Sequence, residues 1–195
     1  MGWLQNLDRA LLEWFAAHRT QHMDFLMSDL SALGGRTVLS LVVLFTVGLL
    51  LSVHRARSAL FLLAAAMGGA VLSQVAKELI ERKRPPELYR LVFFEKSPSF
   101  PSGHSMVSAI VYLTLALIAA EIVPRRRVRY YLIGSALLLS VLIGISRLYL
   151  GVHYLTDVLA GWTAGLAWAL VCRWLEAHWV LRAERRDPAV SQPDP

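Results

Sequence analysis

His153 and Asp157 stand four residues apart between two apolar runs, 130–145 and 158–172, with Arg147 just ahead of them. Each charged residue at membrane depth costs about 2.5–3.5 kcal/mol on insertion scales, so ionisable residues in such a place are functional candidates. On a helix, a spacing of four puts the carboxylate one turn from the imidazole on the same face. That pairing fixes one histidine tautomer and leaves the other ring nitrogen as a nucleophile or base. Taken alone, the same pair reads equally well as a buried structural contact.

Two further segments add two cations and a helix start. Lys77 and Arg84 are seven apart, about two helical turns and nearly one face. Pro101-Ser102-Gly103-His104 precedes an apolar run, so Ser102 is a natural N-cap and Gly103 lets backbone approach a ligand. The N–H groups of that helix start favour an anion. In isolation, His104 would be a cap or packing residue and Lys77 a snorkelling one. Two cations about 7 Å apart repel by about 2.4 kcal/mol at an effective dielectric of 20. Gathering Lys77, Arg84 and Arg147 therefore calls for a multivalent anion between them, and phosphate matches the arginine fork. With no carboxylate cluster to hold a divalent metal, the chain's own cations must do that electrostatic work, and no metal or other cofactor is expected.

The elements that must position these groups are membrane helices. Of 195 residues, 56% are hydrophobic and only 17% charged, with mean hydropathy +0.49. That composition predicts an all-α, polytopic transmembrane bundle in a single domain over residues 1–195. The net charge of +6 falls in loops between apolar runs. It fits membrane flanks and an anionic substrate rather than nucleic acid. The lone Cys172 allows neither an internal disulfide nor a cysteine metal cluster, and is read as lipid-facing or packed.

Five spans are expected, at 37–53, 58–76, 105–120, 130–145 and 158–172. Ahead of them, Leu4, Leu7, Leu11 and Phe15 recur at helical spacing opposite Gln5, Asn6, Asp8, Arg9 and Glu13. This is an amphipathic helix, either at the membrane interface or as a cap packed on the bundle. A second apolar set, Phe25, Leu26, Leu30 and Leu33, ends at Gly34-Gly35, and residues 1–35 are not expected to cross. No cleavable signal peptide is expected, and residues 187–195 read as a disordered tail. Arg82 and Lys83 read as solvated charge beside the site. Five spans bring all three polar segments to one membrane face. The basic links Arg55–Arg57 and Arg125–Arg129 and the tail fall on the other. Lys and Arg divide evenly between the two faces, and setting aside Lys77, Arg84 and Arg147 as site residues turns the links and tail inward.

Lys77-x6-Arg84-Pro85, Pro101-Ser102-Gly103-His104 and Ser146-Arg147-x5-His153-x3-Asp157 together resemble the three-part signature of the type 2 phosphatidic acid phosphatase (PAP2) superfamily. The resemblance implies that His153 attacks phosphorus to form a phosphohistidine while Asp157 holds its ring. It implies that His104 protonates the leaving oxygen and later activates water. Lys77, Arg84, Arg147, Ser102 and Gly103 would hold the phosphoryl oxygens. The expected activity is metal-independent hydrolysis of a membrane lipid phosphate at the outer side of a bacterial cytoplasmic membrane. Phosphatidic acid or phosphatidylglycerophosphate is one substrate class, towards which the Gly103 form of the second motif leans, and undecaprenyl diphosphate the other. Leu88, Tyr89, Leu91, Phe93 and Phe94 are candidates for touching lipid chains. Relatives often have six spans, and here the amphipathic segment replaces the first. Two other readings compete: a vanadate-dependent haloperoxidase, against which the apolar spans speak, and a phospholipid-binding or flipping protein without turnover.

Overall fold

A chain in lipid must satisfy every backbone N–H and C=O internally, so the apolar runs fold as helices. The computed structural model describes residues 2–92 and 97–186, with side chains as far as His178. Phe93, Phe94 and the tail from 187 lie outside the described residues. The regular elements are α1 (Trp3–Ala17), α2 (Gln21–Leu33), α3 (Arg36–Ser52), α4 (Ala56–Ile80), α5 (Gly103–Ile122), α6 (Arg126–Tyr149) and α7 (Leu155–Arg186). Among the described residues a 3₁₀ turn, Glu87–Tyr89, lies between α4 and α5.

Helices α4, α5, α6 and α7 are each long and apolar enough to cross a membrane. The expected first span maps onto α3, whose 17 residues rise only about 26 Å against a hydrocarbon core of about 30 Å. Helix α2 meets α3 at 45°, and the bent pair makes the fifth candidate crossing. Residues 21–33, expected from sequence not to cross, are long and apolar enough for a crossing only jointly with α3. The fold is the multi-pass helical bundle expected. Outward faces carry the large apolar residues lipid accepts, among them Phe45, Leu49, Leu60, Met67 and Leu138.

Helix α5 is the centre. It packs against α4, α6 and α7, and 56% of its apolar window is buried against 33–39% in the other three single-helix spans. Small residues let α7 come close. A Cβ at Gly161 would lie 2.8 Å from the Ser102 carbonyl oxygen, and one at Gly165 2.6 Å from that of Met106. Cys172 is packed, in a cluster with Leu62, Ala65, Met106 and Ile110.

Each end of the chain segment that matters is signalled locally. Helix α4 stops at Glu81 with φ 46°, ahead of Pro85-Pro86. Ser102 caps α5, its hydroxyl accepting from Ser105 N. Helix α6 ends at Leu150 ahead of Gly151 at φ 71°. The C-terminal ends of α4 and α6 and the N-terminal ends of α5 and α7 therefore gather at one end of the bundle. The N-terminal helix joins them: α1 buries Asp8 and Leu12 and leaves Trp3, Leu4, Leu7 and Trp14 exposed. Its inward edge is rotated from the Leu4–Leu7–Leu11–Phe15 face towards Asp8 and Leu12, because a charged partner waits there.

Candidate active site

The His153–Asp157 pair is assembled by the turn between α6 and α7. Gly151 adopts a left-handed conformation that few residues with a Cβ tolerate. A Cβ there would also strike the Tyr89 carbonyl oxygen. The turn leaves His153 ahead of the helix start at Leu155, so the pair meets across a loop and a first turn. It does not meet on one continuous helix face, as the spacing of four suggested. Asp157 occupies the third position of α7 and its Oδ2 accepts from Tyr154 N at 2.9 Å, the carboxylate half of a capping box. The same oxygen lies 3.4 Å from His153 Nδ1 and accepts from the Ser99 hydroxyl.

The histidine's other nitrogen, Nε2, lies 3.3 Å from Arg84 Nη1. A guanidinium only donates, so Nε2 carries the lone pair and Nδ1 the proton. His153 is 1% exposed and Asp157 is fully buried. Burial lowers the His153 pKa to about 4; the charges of Arg147 and Arg84 act the same way, and Asp157 opposes them. The ring is neutral at neutral pH, with the Nε2 lone pair turned to Arg84.

Lys77 and Arg84 converge on residues 97–98 and, for Arg84, on the turn that carries His153, while Arg147 reaches α2. Arg84 donates from Nε to Ser97 O at 2.7 Å, from Nη2 to Ser97 Oγ at 3.1 Å, and from Nη1 to Val152 O at 2.9 Å. Lys77, 7% exposed, donates to Pro98 O at 2.6 Å. Its Cε lies 3.7 Å from where a Cβ on Gly103 would be, at the start of α5. Arg147, 3% exposed, donates from Nη1 to Ser31 Oγ at 2.6 Å. Ser102 is fully buried; it accepts from Ser105 Oγ at 2.9 Å, and its N–H donates to the Asp157 carbonyl at 3.0 Å. His104 is the second residue of α5, partly buried beside the α2–α3 break. There a Cβ on Gly34 would lie 3.5 Å from its Cβ and Cδ2.

Five residues that the motifs did not single out also belong to this end. Arg82 donates to Asp157 Oδ1 at 2.5 Å and to Asp8 Oδ2 at 2.8 Å, so it is a partly buried bridge between two buried carboxylates and not the solvated charge expected. The signal was available. Arg82–Pro86 lies outside any helix, and where the chain is extended Arg82 and Arg84 share a side while Lys83 points away. Ser99 holds Asp157, and Ser31 holds Arg147. Arg19 donates to the carbonyls of Tyr89 and Tyr149 at 2.6 and 2.8 Å, tying the 3₁₀ turn to the end of α6. Asp8 accepts from Arg82 and Thr156. These partners lie far away in sequence, and spacing carries no trace of them.

A membrane bundle with a neutral, carboxylate-backed histidine among cations and a helix N-terminus at one end has the architecture of an integral-membrane phosphatase. The sequence model of the PAP2 superfamily matches residues 57–180, and the chain belongs to that family. It is 34% identical over 167 residues to phosphatidylglycerophosphatase B of Bacillus subtilis, covering 84% of this chain and 80% of that protein. The crystal structure of a transmembrane PAP2-type phosphatidylglycerolphosphate phosphatase from Bacillus subtilis superposes with a TM-score of 0.85 at 30% identity. That match covers 91% of this chain and 88% of the other. An undecaprenyl-diphosphatase of Sulfolobus acidocaldarius is 31% identical over 99 residues, 49% of this chain and 44% of that protein.

Proposed function

We propose that this lipid phosphatase hydrolyses the phosphomonoester of a glycerolipid phosphate, phosphatidylglycerophosphate or phosphatidic acid, without a metal ion. His153 Nε2 attacks phosphorus, forming the P–N bond as the P–O bond to the lipid breaks. His104 gives its proton to the leaving oxygen. Water then attacks the phosphohistidine, His104 takes the water's proton, and the P–N bond breaks to release inorganic phosphate. Asp157 holds the Nδ1–H and balances the positive ring in between. Lys77, Arg84, Arg147, the Ser102 hydroxyl and the Gly103 N–H meet the phosphoryl oxygens, which gather charge in the transition state. The observation carrying this reading is the neutral His153 with Nδ1–H turned to Asp157 and Nε2 turned to Arg84. The family and the Bacillus relative's name support the substrate class.

The match to an undecaprenyl-diphosphatase favours a second reading, a polyprenyl diphosphate at the same site. In both, one chain forms one domain in the bacterial cytoplasmic membrane, with the site turned to the extracytoplasmic leaflet and the basic links inside. Phosphate release from phosphatidylglycerophosphate, phosphatidic acid and undecaprenyl diphosphate in detergent with EDTA, by wild type and His153→Ala, tests it. Release by the wild type alone supports the histidine mechanism, and the ranking chooses the substrate class. A folded wild type that releases nothing from any lipid overturns it in favour of a binding protein.

A further inference from the structure

Asp8 is 3% exposed although it sits on an outlying helix that precedes the spans. An unpartnered buried carboxylate costs several kcal/mol, so its partners matter. Its Oδ1 accepts from Thr156 N at 3.0 Å, and its Oδ2 accepts from Thr156 Oγ1 at 2.6 Å and from Arg82 Nη2 at 2.8 Å. Thr156 belongs to the first turn of α7, whose N–H groups have no intrahelical acceptor. Asp8 therefore caps α7 from another helix, at the turn that also carries Asp157.

Arg82 spans the two carboxylates. Nη1 holds Asp157 Oδ1 at 2.5 Å and also donates to Thr156 Oγ1, while Nη2 is engaged by Asp8. The guanidinium lies over the Tyr154 ring, 4.3 Å from its centroid, which fixes its plane. Asp157 is thereby divided: Oδ1 faces Arg82, and Oδ2 faces His153, Ser99 and Tyr154 N. A guanidinium relieved of its second carboxylate would turn its whole fork onto Asp157, since bidentate pairing is the stronger geometry. That would draw Oδ2 away from the histidine.

We propose that Asp8 is a positioning residue for His153, occupying Arg82 and the first turn of α7 so that Asp157 presents Oδ2 to the ring. The inference rests on the phosphatase reading above. Its hydrogen bonds go to Arg82 and Thr156, not to the proposed phosphate-holding groups, so its loss falls on turnover and not on substrate binding.

The test is steady-state phosphate release from phosphatidic acid micelles by wild type, Asp8→Asn, Arg82→Lys and the double variant, alongside melting temperatures. Asp8→Asn lowers kcat at least 10-fold with KM within twofold. The double variant turns over within threefold of Arg82→Lys alone, because Asp8 acts through Arg82. If Asp8→Asn yields no folded protein, Arg82→Lys carries the test: a lysine cannot span both carboxylates, and the same fall in kcat with steady KM is expected. Either variant keeping kcat within twofold, a rise in KM at constant kcat, or single losses that multiply in the double variant would overturn the proposal. A wild type releasing no phosphate overturns the phosphatase reading itself, whereas an active wild type with an equally active Asp8→Asn overturns only this one.

Discussion

The main-chain N–H of Ser102 donates to the main-chain carbonyl of Asp157 at 3.0 Å, joining the start of α5 to the first turn of α7, whose Asp157 backs His153. Two of the three sequence motifs are thus stitched by backbone, and their distance depends on how closely α5 and α7 pack.

Gly161→Ala tests that dependence. Its Cβ would lie 2.8 Å from the Ser102 carbonyl and 3.1 Å from Ser105 Cβ, so backbone must yield. Overpacking of this kind costs about 1–3 kcal/mol. We expect a lower melting temperature and a loss of kcat/KM larger than that of an alanine at Gly48, where a Cβ meets nothing within 4 Å. Equal behaviour of the two variants would argue that the α5–α7 spacing is not critical.

Arg84→Lys keeps the charge and loses the fork. Arg84 spends its donors on Ser97, Val152 and His153 together, a set one ammonium cannot reproduce. At least a 10-fold fall in kcat/KM is expected, about 1.4 kcal/mol of transition-state stabilisation. A lysine variant with wild-type kinetics would reduce Arg84 to a point charge.

The low pKa of His153 has consequences for pH. Folded His153 titrates near 4 and an unfolded histidine near about 6.5. Between those values the unfolded chain binds more protons, so stability falls as pH drops through the window, by about 3 kcal/mol in all. Melting in detergent from pH 7 to 4 should show wild type losing stability that His153→Gln retains. For activity, the proposed nucleophile His153 is neutral above about 4, so its acid limb in kcat/KM is expected near that value. Arg84→Gln removes a neighbouring positive charge and moves the limb upward. An acid limb that stays put in that variant would contradict the assigned contact.

Gly151→Ala places a Cβ in a left-handed conformation (φ 71°) and against the Tyr89 carbonyl. The conformation alone costs about 1–2 kcal/mol. The substitution also displaces the Leu91 N–Leu150 O bond that pins the turn. Thermal stability and turnover should fall together, and an unaffected melting temperature would mean that the turn relaxes freely.

The spans and the three motifs were legible because apolar run length and short-range spacing are local quantities. Lys77, Arg84, Ser102, His104, Arg147, His153 and Asp157 all lie at the same end of the bundle. Two things were not local. The geometry of His153 and Asp157 depends on where α7 begins, and Gly151 and the Asp157 capping contact set that start. The buried role of Asp8 depends on Arg82, distant in sequence, and a carboxylate on an amphipathic helix otherwise reads as polar surface. Likewise the 45° bend between α2 and α3 pairs two short segments that are long and apolar enough to cross only when taken together, which run length alone does not reveal.

The region matched by the family model begins at residue 57, yet Asp8, Arg19 and Ser31 reach from before it into Arg82, Tyr149 and Arg147. The region that carries the family signature and the working unit therefore have different borders. A chimera that transplanted only residues 57–180 onto a relative's leader would inherit the catalytic signature without its supports. Substitutions at Asp8 and Arg82, or at Ser31 and Arg147, are expected to be tolerated in evolution as matched pairs and seldom singly.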